Sequence, residues 1–191
     1  MNTKNFNALD NFIARYRLNK IVNFISDHDV VLDFGCGHQG YLLNYIQGKI
    51  KKGFGLDPET GNKQEKNLVF KKYIFNSTSK LPFKNKEIDK IVMLAVLEHI
   101  EINEVVYLFK EFKRILKKDG LIVLTTPTPL SKPILEFMSL IRIISREEIM
   151  DHKKYYWKKD IQIIADKTGL KLVSYSFFQL GLNSIATLET R

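Results

Sequence analysis

The chain has 191 residues, of which 45% are hydrophobic, 12% aromatic and 27% charged, which excludes a disordered chain and fits one domain with its own core. A single cysteine, Cys36, excludes an intrachain disulfide, and the absence of a Cys/His cluster at ligand spacing predicts no metal. No apolar run approaches the roughly 20 residues of a membrane helix, so we expect a cytoplasmic protein. The net charge of +9 comes mostly from lysines, and a solvated lysine-rich surface explains it better than a nucleic-acid partner.

The first half of the chain alternates between helical and extended patterns. Apolar residues at helical spacing predict a leading amphipathic helix over about residues 5–26. Short β-branched runs bounded by glycine or proline predict strands. The elements expected next are a strand at 30–34, a helix from 41 to 46, and strands at 53–58 and 68–75.

The second half continues the alternation and is interrupted once. An almost continuous apolar run at 88–97 is typical of a strand buried on both faces of a parallel sheet. A helix from 102 to about 117–120, a strand at 121–127, a helix at 158–168 and strands at 171–178 and 182–188 follow. Residues 128–157 interrupt the alternation of predicted strands and helices and are a candidate lid. The pattern predicts one α/β domain over residues 1–191, an open sheet with right-handed crossovers and a ligand site at the carboxyl ends of its strands.

The glycine-rich loop between the first strand and helix is the most informative motif. It reads Val-Leu-Asp-Phe-Gly-Cys-Gly-His-Gln-Gly at 31–40, and Asp57 follows Gly37 by 20 residues, as the ribose-binding acid does in a dinucleotide fold. However, the carboxylate of Asp33 would repel a pyrophosphate lying on this loop. S-adenosylmethionine carries an ammonium and a sulfonium and no phosphate, so it suits Asp33 better. A nicotinamide-dependent oxidoreductase remains the alternative.

At four blocks, the sequence resembles the class I S-adenosylmethionine-dependent methyltransferases, in particular the small type 11-like family that acts on quinones, polysaccharides or lipids. The blocks are the loop at 31–37, Gly-Leu-Asp at 55–57, Leu-Pro-Phe at 81–83 with Val-Leu-Glu-His-Ile at 96–100, and Arg-Ile-Leu-Lys-Lys-Asp-Gly-Leu at 114–121. The resemblance implies a Rossmann-like three-layer sandwich with a mostly parallel, seven-stranded sheet whose last strand is antiparallel. It also implies S-adenosylmethionine as cofactor, S-adenosylhomocysteine as product, and a cofactor site that includes Asp33, Gly35, Cys36, Gly37, Asp57, Pro58, Asn76, Ser77 and Leu94.

Two positions depart from the family pattern. The third glycine, Gly40, lies three residues after Gly37, where many relatives have it two residues after. Where relatives have an aspartate that recognises the adenine amino group, this chain has Asn76, whose amide oxygen can accept the same hydrogen bond without charge.

Methyl transfer from a sulfonium requires alignment more than acid–base chemistry, but a hydroxyl acceptor benefits from a base. His99 follows the central strand and is the best candidate for that base; the alternative is that it orients its loop. His152, Tyr155 and Tyr156 lie where relatives contact substrate, and the alternative is that these aromatics pack the lid onto the sheet.

We therefore expect a methyltransferase that acts, most simply by O-methylation, on a small-molecule, lipid-linked or glycan-linked acceptor. A peripheral membrane contact is compatible with this. A nucleic-acid-binding module would need residues 153–159 to form one basic face, and a non-catalytic module would bind no cofactor. The sequence leaves the acceptor, the oligomeric state and the pathway open.

Overall fold

A computed structural model describes residues 18–78, 80–134 and 153–190 of the chain. The strands are β1 (Val30–Phe34), β2 (Lys52–Asp57), β3 (Lys63–Glu65), β4 (Leu68–Lys72), β5 (Ile88–Leu94), β6 (Leu116–Pro127), β7 (Leu170–Phe178) and β8 (Asn183–Thr190). The helices are α1 (Tyr41–Ile46), α2 (Ile102–Ile115) and α3 (Lys158–Thr168), with single 3-10 turns at Leu97–His99 and Pro129–Ser131. No helix in these described ranges is long and apolar enough to cross a membrane.

The strands form one sheet in the order β3-β4-β2-β1-β5-β6-β8-β7. Strands β4, β2, β1, β5 and β6 are parallel, and β8 pairs antiparallel with both β6 and β7. The Rossmann-like sheet with its antiparallel last strand is therefore confirmed. The sheet has eight strands because the short β3 pairs antiparallel with β4 at one edge.

Two apolar clusters lie on opposite faces of the sheet and complete the three layers. One cluster joins the sheet to α2 and α3 through side chains such as Phe109, Phe112 and Ile161. The other joins it to α1 and to the segment around Ile21 and Ile25. Residues 18–22 of the predicted leading helix are helical and a turn follows, so this helix ends earlier than residue 26. The rest of it lies outside the described residues.

Helix α2 also ends earlier than its sequence predicts. The lysines and glycine at 117–120 predict a helix end there, but Leu116 already has extended torsion angles (φ −73°, ψ 133°). Leu116 pairs with Ile88 of β5 and is buried. Its burial in the sheet replaces the last helical turn, and within β6 itself Asp119 has a left-handed backbone with φ 64°.

An ion pair on α2 between buried Glu111 and half-buried Arg114 holds the Leu-Pro-Phe segment. Arg114 donates to Glu111 Oε2 at 2.7 Å and to the carbonyl oxygens of Leu81 and Phe83 at 3.1 and 2.9 Å. The backbone N–H of Leu81 donates to Glu111 Oε2 at 2.8 Å. This network fixes the chain between β4 and β5 against α2.

We expect Glu111→Gln to lower the free energy of unfolding at pH 7 by about 1–3 kcal/mol, since it leaves the half-buried Arg114 without its counter-charge. The hydrogen bond from Arg114 is the main cause that lowers the pKa of Glu111. The contribution of the Glu111 carboxylate to the free energy of unfolding is therefore fully present above the ordinary pKa of glutamate. It is lost as the pH falls through the lowered pKa of Glu111 in the folded chain. Urea unfolding between pH 3 and 7 checks this, and a difference that stays constant down to pH 3 would contradict it.

Candidate active site

The glycine loop is tied to the end of β2 by three hydrogen bonds that its backbone N–H groups donate. The N–H groups of Gly35 and Cys36 donate to the carbonyl oxygen of Leu56, at 2.8 and 3.3 Å. The N–H of Gly37 donates to Asp57 Oδ2 at 2.9 Å, and that of Glu59 donates to Asp57 Oδ1 at 2.7 Å. Oδ2 of the Asp57 carboxylate thus holds the glycine loop, and Oδ1 holds the turn that follows β2.

The three glycines of the loop all have positive φ but face different surroundings. A Cβ on Gly35 would overlap the side chain of Val96, and a Cβ on Gly40 would overlap the ring of Phe70. A Cβ on Gly37 would have no heavy atom within 4 Å. Gly35 and Gly40 are therefore required by packing, whereas Gly37 leaves its backbone open to a ligand.

We expect Gly37→Ala to fold with a penalty of about 1–2 kcal/mol for the left-handed backbone, and to weaken S-adenosylhomocysteine binding at least about tenfold. Gly40→Ala adds the overlap with Phe70 to the same backbone cost, so its loss of stability should exceed 3 kcal/mol. Chemical denaturation and calorimetric titration measure both quantities. If Gly37→Ala bound the ligand normally, the loop would not carry it.

Asp33 at the end of β1 is a buried carboxyl, with 3% of its surface exposed. Within the described part of the chain it has no hydrogen-bond or ion-pair partner. Burial, together with the charge of Asp57, raises its pKa from 3.8 to about 7. A buried carboxylate without a counter-charge is costly, so this position is suited to a cationic ligand.

The only cysteine is not set up as a nucleophile. Cys36 is buried, and burial, reinforced by the charges of Asp33 and Asp57, raises the pKa of its thiol well above the ordinary value. The thiol is therefore protonated near neutral pH. Its role is to fill the space beside Gly55 under the loop.

A cavity of about 780 Å³ opens at the carboxyl ends of β1, β2, β4 and β5 and is called the cleft cavity here. Five of the residues predicted from the sequence line it: Gly35, Asp57, Pro58, Leu94 and His99. Sequence reasoning missed Phe34, Leu56, Glu59, Tyr73, Ile74, Phe75, Ala95, Val96, Ile100, Glu101 and Glu104. Most of the missed residues follow β4 or β5 directly, which was the available signal.

The lining of the cleft cavity is apolar and acidic. It includes the four carboxylates of Asp57, Glu59, Glu101 and Glu104, and none of the described residues that line it is Lys or Arg. In a chain of net charge +9, this contrast favours a cationic or neutral ligand over an anionic one. Ala95 contributes a left-handed backbone (φ 54°) to the wall, an uncommon conformation for a residue with a Cβ.

Asn76 and Ser77 do not line the cleft cavity. Asn76 Oδ1 accepts hydrogen bonds from the N–H and the hydroxyl of Thr78, at 3.1 and 2.7 Å. The N–H of Ser77 donates to Glu104 Oε1 at 2.9 Å. Contact of Asn76 with adenine therefore stays a prediction, and it would compete with these local bonds.

The candidate catalytic residues are in different places. His99 lies in the 3-10 turn after β5 and lines the cleft cavity. Tyr156 is buried in the core with 2% exposed, and burial raises its pKa to about 12, which favours the packing role over substrate contact. Tyr155 is half-buried. His152 and residues 135–152 of the candidate lid lie outside the described residues.

The basic stretch at 153–159 does not form a single cationic face. Lys153 pairs with Glu101 at 3.4 Å, and Lys154 pairs with Asp160 at 2.7 Å. Tyr156, which lies between Lys154 and Lys158 in the sequence, is buried. These pairings disfavour the nucleic-acid-binding alternative and place Lys153 beside a wall residue of the cleft cavity.

Comparison with known proteins identifies the family of the chain. The methyltransferase-domain family matches residues 6–175. An uncharacterized protein of Methanocaldococcus jannaschii is 26% identical over 172 residues, which cover 80% of this chain and 65% of that protein. This chain thus spans slightly less than two thirds of that relative.

Solved structures share the fold at low identity. A SAM-dependent methyltransferase from Archaeoglobus fulgidus aligns with a TM-score of 0.70 and 15% identity, over 94% of each chain. The complex of the Haloferax volcanii Trm112 methyltransferase activator with a putative methyltransferase gives a TM-score of 0.69 and 15% identity, over 96% of this chain and 97% of that chain. The chain therefore belongs to the methyltransferase-domain family and has the class I fold of these SAM-dependent methyltransferase structures.

Proposed function

We propose that the protein binds S-adenosylmethionine in the cleft cavity and transfers its methyl group to a hydroxyl of a small-molecule, lipid-linked or glycan-linked acceptor. The observation that carries the cofactor part is Asp33, a buried carboxylate with no partner among the described residues. It does not itself line the cavity but directly precedes Phe34 and Gly35, which do, and Gly37 of the same loop leaves open space. An ammonium group on the ligand would supply the missing counter-charge.

The residues present fit this cofactor better than a dinucleotide. Asp57 stands at the end of β2, where its carboxylate can accept hydrogen bonds from a ribose diol beyond those from Gly37 and Glu59. A pyrophosphate would meet four carboxylates and no Lys or Arg among the cavity-lining residues. This argument, together with the family match, disfavours the oxidoreductase alternative.

When bound, S-adenosylmethionine supplies a methyl group already activated by its sulfonium. The chain's part is to align the acceptor and exclude water, for which the apolar wall of Phe75, Leu94 and Ile100 is suited. The imidazole of His99, also in this wall, would accept the proton of the acceptor hydroxyl.

A protein activator is a further candidate partner. The Haloferax volcanii structure with a similar fold is a complex with a Trm112 activator. We include a small activator protein of that kind among the partners to be tested, beside the acceptor itself. Co-expression followed by size-exclusion chromatography tests it.

The experiment that tests the cofactor is a thermal-unfolding titration with S-adenosylhomocysteine and, separately, with NADH. At a ligand concentration about 100 times the dissociation constant, stabilisation should be about 2.7 kcal/mol, or about 5–10 °C in Tm. Stabilisation by S-adenosylhomocysteine alone supports the proposal. Stabilisation by NADH alone would replace it with an oxidoreductase, and no effect of either ligand would leave a non-catalytic module.

His99→Gln tests the proton-accepting role. Once an acceptor has been found by transfer of a labelled methyl group, kcat should fall about 100-fold, because glutamine cannot take the hydroxyl proton. The affinity for S-adenosylhomocysteine should stay within about twofold of the wild-type value and serves as the control. An unchanged kcat would restrict His99 to a role in shaping its loop.

A further inference from the structure

Glu104 occupies a distinctive position in the cleft cavity. It lies in the first turn of α2, is half-buried and lines the cavity. The N–H of Ser77 donates to its Oε1 at 2.9 Å, which fixes the carboxylate against the segment after β4. Within the described residues its second oxygen, Oε2, has no hydrogen-bond or ion-pair partner.

The other acceptors around the cavity are already engaged or exposed. Both oxygens of Asp57 accept backbone N–H groups, and Glu101 pairs with Lys153. The amide oxygen of Asn76 accepts two hydrogen bonds from Thr78, and Glu59 is exposed. Glu104 therefore supplies an oriented, half-buried acceptor with an oxygen left for a ligand.

The surroundings of Glu104 suit a flat heteroaromatic ring that carries a donor at its edge. Ile74, Phe75 and Ile100 line the same cavity and provide an apolar wall. Asp57, the candidate ribose ligand, stands at the end of β2 in the same cavity. An adenine whose ribose lay at Asp57 would have its exocyclic amino group as the donor for a cavity acceptor.

We propose that Glu104 is the residue that recognises adenine in this chain: its Oε2 accepts a hydrogen bond from the 6-amino group, while its Oε1 stays held by Ser77. This inference rests on the proposed function, because it concerns the same cofactor. A carboxylate accepts from an amino group but repels a carbonyl oxygen, so the site discriminates adenine from its deaminated counterpart. Glu104 thereby supplies the contact that the sequence assigned to Asn76.

The test compares binding of S-adenosylhomocysteine and S-inosylhomocysteine, in which a carbonyl oxygen replaces the amino group. Calorimetric titration of the wild-type chain should show a preference of about 30-fold or more for the adenine compound. Glu104→Gln keeps an oxygen for the N–H of Ser77 and adds an amide donor, so the preference should fall to about threefold or less. Glu101→Gln, a change of the same kind at another cavity carboxylate, should retain the wild-type preference.

The outcomes separate this inference from the proposed function. If the wild-type chain binds S-adenosylhomocysteine and Glu104→Gln keeps the full preference, Glu104 does not read the base and only this inference is overturned. If Glu101→Gln loses the preference equally, a general effect of charge explains it, and the inference is again overturned. If the wild-type chain binds neither compound, the proposed function fails as well. Glu104→Ala provides a second variant in the same assay, with the same expected loss of preference.

Discussion

Asp33→Asn is expected to stabilise the unliganded protein at pH 8 and to weaken its binding of S-adenosylhomocysteine about 100-fold. A carboxyl whose pKa rises from 3.8 to about 7 on folding costs about 4 kcal/mol of stability when it ionises. Asparagine removes that charge but leaves a buried amide to be satisfied, so the expected net gain is about 1–3 kcal/mol. The ligand loses its counter-charge, which accounts for the weaker binding.

The pH dependence distinguishes this effect from simple repacking. Below about pH 3, the wild-type carboxyl is neutral in both the folded and the unfolded chain, so Asp33→Asn should bring no gain. The gain should grow as the pH rises from about 4 to 7 and stay level above that. Urea unfolding at pH 4, 6 and 8 measures it. A variant that is less stable than wild type at pH 8 would contradict the assignment of Asp33 as an uncompensated charge.

Asp57→Asn is expected to have the opposite effect on stability. Asparagine offers one acceptor oxygen where the carboxylate offers two, and its amide N–H₂ would face either Gly37 N–H or Glu59 N–H. We expect a loss of about 2 kcal/mol of stability, and a roughly 100-fold loss of S-adenosylhomocysteine affinity because both the loop and the ribose contact are affected.

Glu59→Gln is the control for Asp57→Asn, since Glu59 is exposed and bonds to Asp57 only through its backbone. It should leave stability and affinity near the wild-type values in the same denaturation and titration experiments. If Asp57→Asn proved as stable as wild type, the hydrogen bonds from Gly37 and Glu59 would not be stabilising the loop and the turn after β2. If it bound the ligand normally, the ribose contact would have to lie elsewhere.

The parts of the fold that the sequence predicted are those in which local pattern and tertiary environment agree. The apolar run from Ile88 is a strand because both of its faces are buried, and α3 begins and ends where its apolar spacing and Gly169 place it. The loop from Gly35 to Gly37 was identifiable because a left-handed backbone and close packing favour glycine.

The parts that were missed depend on contacts that no local pattern encodes. Strand β3 reads Lys-Gln-Glu, is exposed throughout and has no apolar alternation to identify it. Leu116 was assigned to α2 because the signals that end a helix come after it, whereas its pairing with Ile88 decides its conformation.

The acidic wall of the cleft cavity was likewise not predictable. Glu104 faces the cavity because α2 packs beside the segment that contains Ser77, 27 residues earlier in the chain. Ala95 gives no sequence signal for its left-handed backbone. Tyr156 is a residue for which the sequence pattern allows two roles, because an aromatic residue beside lysines can be either a substrate contact or a core residue. Its burial in the folded chain favours the core role.

The most direct test of the central claim, that Asp33 binds a cationic cofactor tail, is calorimetric titration of the wild-type chain with S-adenosylhomocysteine at pH 8 and pH 6. With a pKa of about 7 in the unliganded protein, the ionised fraction of Asp33 falls about tenfold between these pH values, so the affinity should fall by about the same factor. The Asp33→Asn variant should bind S-adenosylhomocysteine weakly, with almost the same affinity at pH 8 and at pH 6. Tight binding by the wild-type chain that did not change between pH 8 and pH 6 would contradict the claim.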